Sequence, residues 1–328
     1  MGVLASLGAA SSFAISSTFV ASYARRLDPY SMVLIRMIAG AIFLVVALFV
    51  LGSQDDVARM GVGDLAQFIG AGTISMVLGE PLFIAAIAVL GLTRGFPTIM
   101  GLMTMVAYLG SVIVLGESVD WQVAVGSAMV LLGVYLVVLY GRAHTELPST
   151  PAAEAAGAAE RPISGAVPKD YSLTAPVRIP VVGITAPRLV VGLLLAMGVG
   201  LAWGQEGVWI RSSSEGFDAV AVHAVRVPVI AAIWCLIISF MPRSAIRRRA
   251  VDRRGVLFIA ASGAISLGLS GILFIYAVQE IGAGPNAVLF ATAPLFGLPL
   301  GAIFLKEKIT IWVAIGTGIA VGGIALIA

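Results

Sequence analysis

The chain has 328 residues, of which 59% are hydrophobic and only 11% charged, with a formal net charge of +3. A water-soluble domain carries about a quarter of its residues as charges to keep its surface hydrated, so a mean hydropathy of +1.04 excludes that class and points to lipid as the solvent. The basic pI of about 9.2 does not indicate nucleic acid, because the Lys and Arg residues lie between apolar runs, where lipid headgroups are the simpler partner.

A hydrocarbon core of roughly 30 Å takes about 20 helical residues per crossing. In chain order, apolar runs of that size fall at roughly 2–23, 30–51, 65–90, 94–115 and 121–140. A second set falls at roughly 191–211, 219–240, 255–279, 285–305 and 311–328. None shows the apolar/polar alternation of barrel strands, so an all-α membrane protein with ten transmembrane helices is expected. Between the sets, residues 141–187 hold His144-Thr-Glu-Leu-Pro148, an Ala/Glu stretch from Ala152 to Glu160 and scattered prolines. They read as a mobile aqueous linker, which divides the chain into 1–140, 141–187 and 188–328. The first run lacks a basic n-region and reads as a retained helix rather than a signal peptide. Met1-Gly2-Val3-Leu4-Ala5-Ser6 fits a myristoylation pattern, but the same residues begin that helix. The single cysteine, Cys235, permits neither an intramolecular disulfide nor a cysteine zinc cluster.

An offset of 190 positions superimposes the two sets. Asp28 meets Asp218, Arg36 meets Arg226 and Glu117 meets Glu307, while Gly8, Gly126 and Gly133 meet Gly198, Gly316 and Gly323. Apolar coincidences are cheap in this composition, but charged ones at one constant offset are not. The duplication has a geometric consequence. Five crossings is an odd number, so the second repeat enters from the opposite side and the halves are related by a two-fold axis in the membrane plane. That arrangement is common in secondary transporters.

The five-plus-five helices, the Arg eight residues after the Asp that opens helices two and seven, and Leu115-Gly-Glu117 before helix five resemble the drug/metabolite transporter superfamily. Within it the chain looks like an EamA-type permease, over everything but the linker. The resemblance implies an inverted-repeat carrier of amino acids, other metabolites or drugs, multi-pass in a prokaryotic inner membrane. It also implies a central cavity between the bundles and peripheral fifth and tenth helices, through which a homodimer could form. No cofactor is implied.

Family members usually keep both termini in the cytoplasm, and here the charges disagree. Loops after odd-numbered helices hold 16 Lys and Arg against two, Arg59 and Arg211, on the other side. The positive-inside rule then places the linker in the cytoplasm and both termini outside.

Of 17 acidic residues, only Glu80 and Glu206 sit well inside apolar runs. A carboxylate there costs several kcal/mol unless paired, hydrated or protonated, which marks both as coupling or substrate-contact candidates. The alternative for Glu80 is a protonated acid satisfied by a neighbouring helix. Pro81 follows it and deprives the Val77 carbonyl of its helical donor, so a kink in helix three is expected. Its repeat partner is the neutral Ser270. Glu206, beside Gln205 and Trp203, stands in the first helix of its repeat, as the essential Glu of the related small multidrug resistance proteins does; an interfacial Glu is the alternative.

Arg36 and Arg226 could snorkel or pair with Asp28 and Asp218, or could face the cavity and bind a carboxylate or phosphate. Their duplication favours an architectural role. His223, facing Val33 in the repeat alignment, is a satisfied helix histidine or a proton relay. Tyr108, Tyr276, Trp203 and Phe274 are candidates for the cavity wall or for the membrane interface. Pro97, Pro228, Pro294 and Pro299 could bend cavity helices. Gly200/Gly204, Gly297/Gly301 and Gly318/Gly322 are small-xxx-small pairs that allow close helix packing.

A secondary exporter of a small organic metabolite or amino acid-like solute, driven by a proton gradient or the solute's own, is the leading reading. A channel would want symmetric rings of like residues, which the Glu80/Ser270 and Glu206/Ser16 pairs do not provide. A membrane enzyme is not expected, since HExxH, GxSxG and Walker motifs are missing. The orientation is tested by single cysteines at Ser53 and Thr150 in a Cys235→Ser background. A membrane-impermeant thiol reagent applied outside should label Ser53→Cys and spare Thr150→Cys; the reverse pattern would place the linker outside.

Overall fold

The structure is a computed structural model, and it describes residues 1–23, 29–90, 92–117, 121–140, 176–178, 185–241, 253–293, 295–296 and 311–327. Asp28, Gly297, Gly301, Glu307, Pro294, Pro299, the Pro97 side chain and most of the linker lie outside that description.

The first repeat contains α1 (Gly2–Tyr23), α2 (Pro29–Val50), the short α3 (Gln54–Arg59) and α4 (Val62–Gly72). A π-helical segment, Thr73–Gly79, joins α4 to α5 (Glu80–Leu90), and α6 (Leu92–Leu115) and α7 (Trp121–Tyr140) follow. The second repeat contains α8 (Arg188–Ser213), α9 (Ala219–Phe240) and α10 (Arg253–Gly263). A second π segment, Ala264–Ser270, leads into α11 (Gly271–Ile281), and α12 (Ala283–Phe290) and α13 (Ile311–Ile327) complete it.

Six of the described helical stretches are long and apolar enough to cross a bilayer: Tyr30–Val50, Val62–Phe83, Thr98–Leu115, Leu189–Ser213, Ala219–Phe240 and Arg253–Ile281. Gly2–Ser17, Trp121–Gly133 and Ile315–Leu326 are shorter apolar helices, and the expected ninth helix is described only from Ala283 to Phe290 and at a few residues beyond. The all-α expectation needs one correction. Pro176–Arg178 and Thr185–Pro187, β1 and β2, form an antiparallel ribbon at the end of the linker, with Val177 opposite Ala186.

Side-chain contacts establish the directions of the helices. Ser270 donates to the Ala9 carbonyl and Ser16 to the Ser262 carbonyl, so α1 runs antiparallel to α10 and α11. Ser6 reaches the Asn286 carbonyl and Phe13 packs on Phe290, so α1 runs parallel to α12. Thr104 reaches the Ala287 carbonyl while Glu117, just beyond α6, meets the Ala283 amide, so α6 opposes α12. Gly200 abuts Leu102 and Gly204 abuts Val106, so α8 follows α6. The first helix of one repeat therefore points opposite to the first helix of the other. Packing between the repeats is mirrored accordingly: α6 on α8 is matched by α12 on α1, α2 on α10 by α9 on α4, and α1 on α11 by α8 on α5.

Both π segments fall at nearly equivalent places in the repeats. The kink expected from Pro81 is thus part of a wider irregularity that proline does not explain, because Gly271 holds the equivalent position in repeat two. A π turn leaves carbonyls without their usual intrahelical donors. Those reached by ring donors are Ser75, from Trp203 Nε1 at 3.0 Å, and Met76, from Trp234 Nε1 at 3.3 Å, rather than Val77. Near the end of the bundle that holds the N-terminus, Arg211 donates to the Gln279 carbonyl at 2.6 Å and stands 3.8 Å from Glu117. Nearby, Asp56 accepts from the Asp218 amide at 2.6 Å and pairs with Arg59.

Of the glycine pairs, Gly200 and Gly204 do lie against α6, where a Cβ on Gly204 would come 2.6 Å from Val106. In α13 the close approach is at Gly323 instead. A Cβ there would meet the Gly126 carbonyl at 2.5 Å and the Val130 amide at 2.8 Å, whereas one on Gly318 would meet nothing. Replacing Gly323 by Leu forces backbone apart and should destabilise the protein by about 1–3 kcal/mol. Gly318→Leu should leave the melting temperature of the purified protein in detergent unchanged. Equal losses in the two variants would contradict the packing account.

Candidate functional site

The two arginines at equivalent repeat positions are buried, Arg36 at 4% exposure and Arg226 at 0%. Arg226 does not take Asp218, one of the partners open to it in the sequence, and Asp28 lies outside the described residues. Asp218 caps α9, its carboxylate accepting from the Val220 and Ala221 amides at 2.8 and 3.3 Å, because those first-turn donors have no helical partner. Arg36 reaches across to Glu80, Nη1 to Oε2 at 3.1 Å, and its Nη2 donates to Ser266 at 3.0 Å. Arg226 pairs with Glu206.

Each guanidinium thus takes its counter-ion from its own repeat, but from different helices. Glu80 opens α5, in the third helix of repeat one, and Glu206 lies in α8, the first of repeat two. At the equivalent positions stand serines, and these hold the repeats together: Ser270 on the Ala9 carbonyl at 2.8 Å and Ser16 on the Ser262 carbonyl at 2.9 Å.

Between the repeats lies a cavity of about 650 Å³ of space not filled by atoms, part of it open to the outside. Glu80, Glu206, His223, Arg226 and Trp203 line it, together with Phe13, Phe274, Phe290, Met76, Met103 and the serines 75, 266 and 270. The two acids singled out in the sequence therefore face one space. His223 sits with Nε2 2.6 Å from the Leu267 carbonyl. A carbonyl only accepts, so Nε2 carries the hydrogen.

Four candidates do not line the cavity. Arg36 stands behind Glu80. Gln205 turns toward α4, donating to the Ala202 and Ala71 carbonyls at 2.7 and 3.4 Å. Tyr108 packs beside Gly284, about 140° round its helix from the lining Met103. Tyr276, about 200° from Phe274, points to the outer surface at 37% exposure. Phe13 went unnoticed in the sequence although its repeat partner is Trp203; the two rings meet edge to face with centroids 6.3 Å apart. Ser266, which completes the shell of Arg36, carries no sequence signal.

An inverted pair of apolar helical bundles around a charged central cavity defines a membrane transporter of small solutes. The sequence pattern of the EamA-like transporter family matches residues 1–139 and 190–328, and the chain belongs to that family. No curated protein matches its sequence. Among solved structures, one known only as the crystal structure of a protein aligns with a TM-score of 0.68 at 17% identity, covering 99% of this chain and 95% of that one. At that identity the likeness speaks for the fold alone.

Removing one member of a buried ion pair strands the other and costs about 3–5 kcal/mol, whereas replacing both by apolar residues is often neutral. Arg36→Met should accordingly lower stability in denaturation of the micellar protein, and Arg36→Met combined with Glu80→Leu should recover most of the loss. A double variant as unstable as the sum of the singles would mean that the two side chains do not act as a pair.

Proposed function

We propose that this protein is a secondary carrier that exports a small organic metabolite or amino acid-like solute, with ten crossings, both termini outside, and protons as the coupling ion. Alternating access would follow from exchanging the conformations of the two inverted repeats around the central cavity. The observation that supports the reading is that both carboxylates found at membrane depth, Glu80 and Glu206, open onto one cavity between the repeats. A carboxylate in such a place can hold either a proton or a solute cation, and competition between the two is enough to couple their movements. Membership of a transporter family favours a carrier over an enzyme. The absence of two-fold equivalents for Glu80 and Glu206 speaks against a channel, since symmetric rings of like charge are not available.

The experiment begins with a solute found by thermal-shift screening, since a ligand of the folded state raises apparent stability. Wild type and Glu80→Gln are reconstituted in liposomes. Exchange between equal pools is then compared with uptake driven by an imposed pH step. Glutamine keeps an oxygen that can accept from Arg36, so the variant should fold with reduced stability and still exchange. Its gradient-driven accumulation should vanish. Accumulation that persists in the variant would move the coupling role to Glu206, and wild-type flux that does not saturate would indicate a channel.

A further inference from the structure

What the cavity offers a solute depends on which atoms it leaves open. Arg36 spends Nη1 on Glu80 and Nη2 on Ser266, and its remaining Nε is sealed in packed protein. Arg226 donates through Nη2 to Glu206 Oε1, and its Nε and Nη1 are sealed as well. The carboxylates behave differently. Among the described residues Glu80 uses only Oε2 and Glu206 only Oε1, while Glu80 Oε1 and Glu206 Oε2 carry no hydrogen bond and are not sealed. Both residues line the cavity. Each ion pair is therefore a dipole whose carboxylate keeps an open oxygen while its guanidinium is covered, completely so at Arg226.

Aromatic rings make up much of the rest of the wall. Phe13 and Trp203 meet at 6.3 Å, Phe13 and Phe290 at 5.4 Å, and Phe274 and Phe290 at 5.3 Å between ring centroids. Ring faces carry the negative part of the aromatic quadrupole and attract a cation placed within about 6 Å of the centroid. An anion entering this space would meet carboxylate oxygens and aromatic rings, and among the described residues the one guanidinium on the lining, that of Arg226, exposes no surface to it. A neutral solute would desolvate the two open oxygens without offering them charge.

Resting on the carrier reading above, we infer that the group recognised in this cavity is an organic cation. It is a protonated amine or comparable onium centre on an apolar or aromatic body, held by the open oxygens of Glu80 and Glu206 and by the ring walls. The cation is the selected feature of the solute, and the body fills the aromatic part of the cavity.

Three probes of one shape test this: 2-phenylethylammonium, 2-phenylethanol and 3-phenylpropanoate, each titrated calorimetrically into the purified full-length protein in detergent at neutral pH. The ammonium should bind saturably and at least about tenfold more tightly than the other two. Glu206→Gln, which keeps an acceptor but removes the charge, should weaken the ammonium about tenfold and leave the alcohol unchanged. Should that variant fail to fold, the three-probe series on wild type decides alone. Carboxylate binding as tight as that of the ammonium overturns the inference, and so does the lack of saturable ammonium binding. The assay requires no transport, so the two readings fail separately. Saturable ammonium binding without exchange in liposomes would end the carrier reading and leave the cation inference standing, while preferred carboxylate binding would do the opposite.

Discussion

A guanidinium keeps its proton under all ordinary conditions, so an arginine buried in an apolar bundle must be given a counter-charge. The chain faces that requirement twice, at Arg36 and Arg226, because the duplication placed an arginine in the second helix of both repeats. The two solutions differ. Repeat one supplies its carboxylate from the third helix, as Glu80, and repeat two from the first, as Glu206. Where one repeat has an acid, the other has a serine that ties helix to helix through a carbonyl. The departure from two-fold symmetry at the centre of the molecule thus follows from how each half neutralises its arginine, and the polarity of the cavity follows from the direction in which those two pairs point.

The π segments serve the same centre. A regular helix would keep its carbonyls to itself, whereas the widened turns at Thr73–Gly79 and Ala264–Ser270 present them to side chains. Trp203 and Trp234 of repeat two take carbonyls of the first segment, and His223 takes one of the second. These are the oxygens that could otherwise coordinate a metal cation beside an unwound helix. In this chain ring nitrogens occupy them, and the rings themselves become part of the wall or back it.

Much of this was legible in the sequence, and the rest was hidden for identifiable reasons. Apolar runs and the constant offset gave the helices and their duplication, because length and charge placement are one-dimensional properties. Glu80 and Glu206 stood out because an acid in an apolar run is costly wherever its partner lies. The partners themselves could not be read. Asp28 and Asp218 were the nearest candidates along the chain, but a carboxylate at a helix start satisfies backbone amides first, as Asp218 does. Facing was also unreadable, since helices apolar all round carry no stripe to orient them. Hence chemistry alone leaves Tyr108 and Tyr276 open between the cavity wall and the membrane interface, and nothing in the sequence singles out Phe13. Pro81 signalled an irregular third helix, but repeat two has the same irregularity without a proline.

The way the charges are paired also bears on the speed of a transport cycle. Each buried ion pair is contained within a single repeat, so in the alternating-access mechanism proposed above each would travel with its own half. The ties between halves include hydroxyl and ring N–H donors on carbonyls at Ser16, Ser270, Trp203 and Trp234, each contributing about 0.5–1.5 kcal/mol, and one hydrogen bond from a charged donor, Arg36 Nη2 to Ser266, contributing about 1.5–3 kcal/mol. Among the described residues the ion pair that does cross, Arg211 with Glu117, is partly exposed and 3.8 Å long, a setting in which such pairs contribute about 0–1 kcal/mol. One half can therefore move against the other without drawing a buried charge away from its counter-ion. Had Arg36 taken its carboxylate from the opposite repeat, every cycle would have included a separation costing about 3–5 kcal/mol, a slowing of about 10²–10⁴-fold. Pairing within the repeat would keep that barrier out of the proposed cycle.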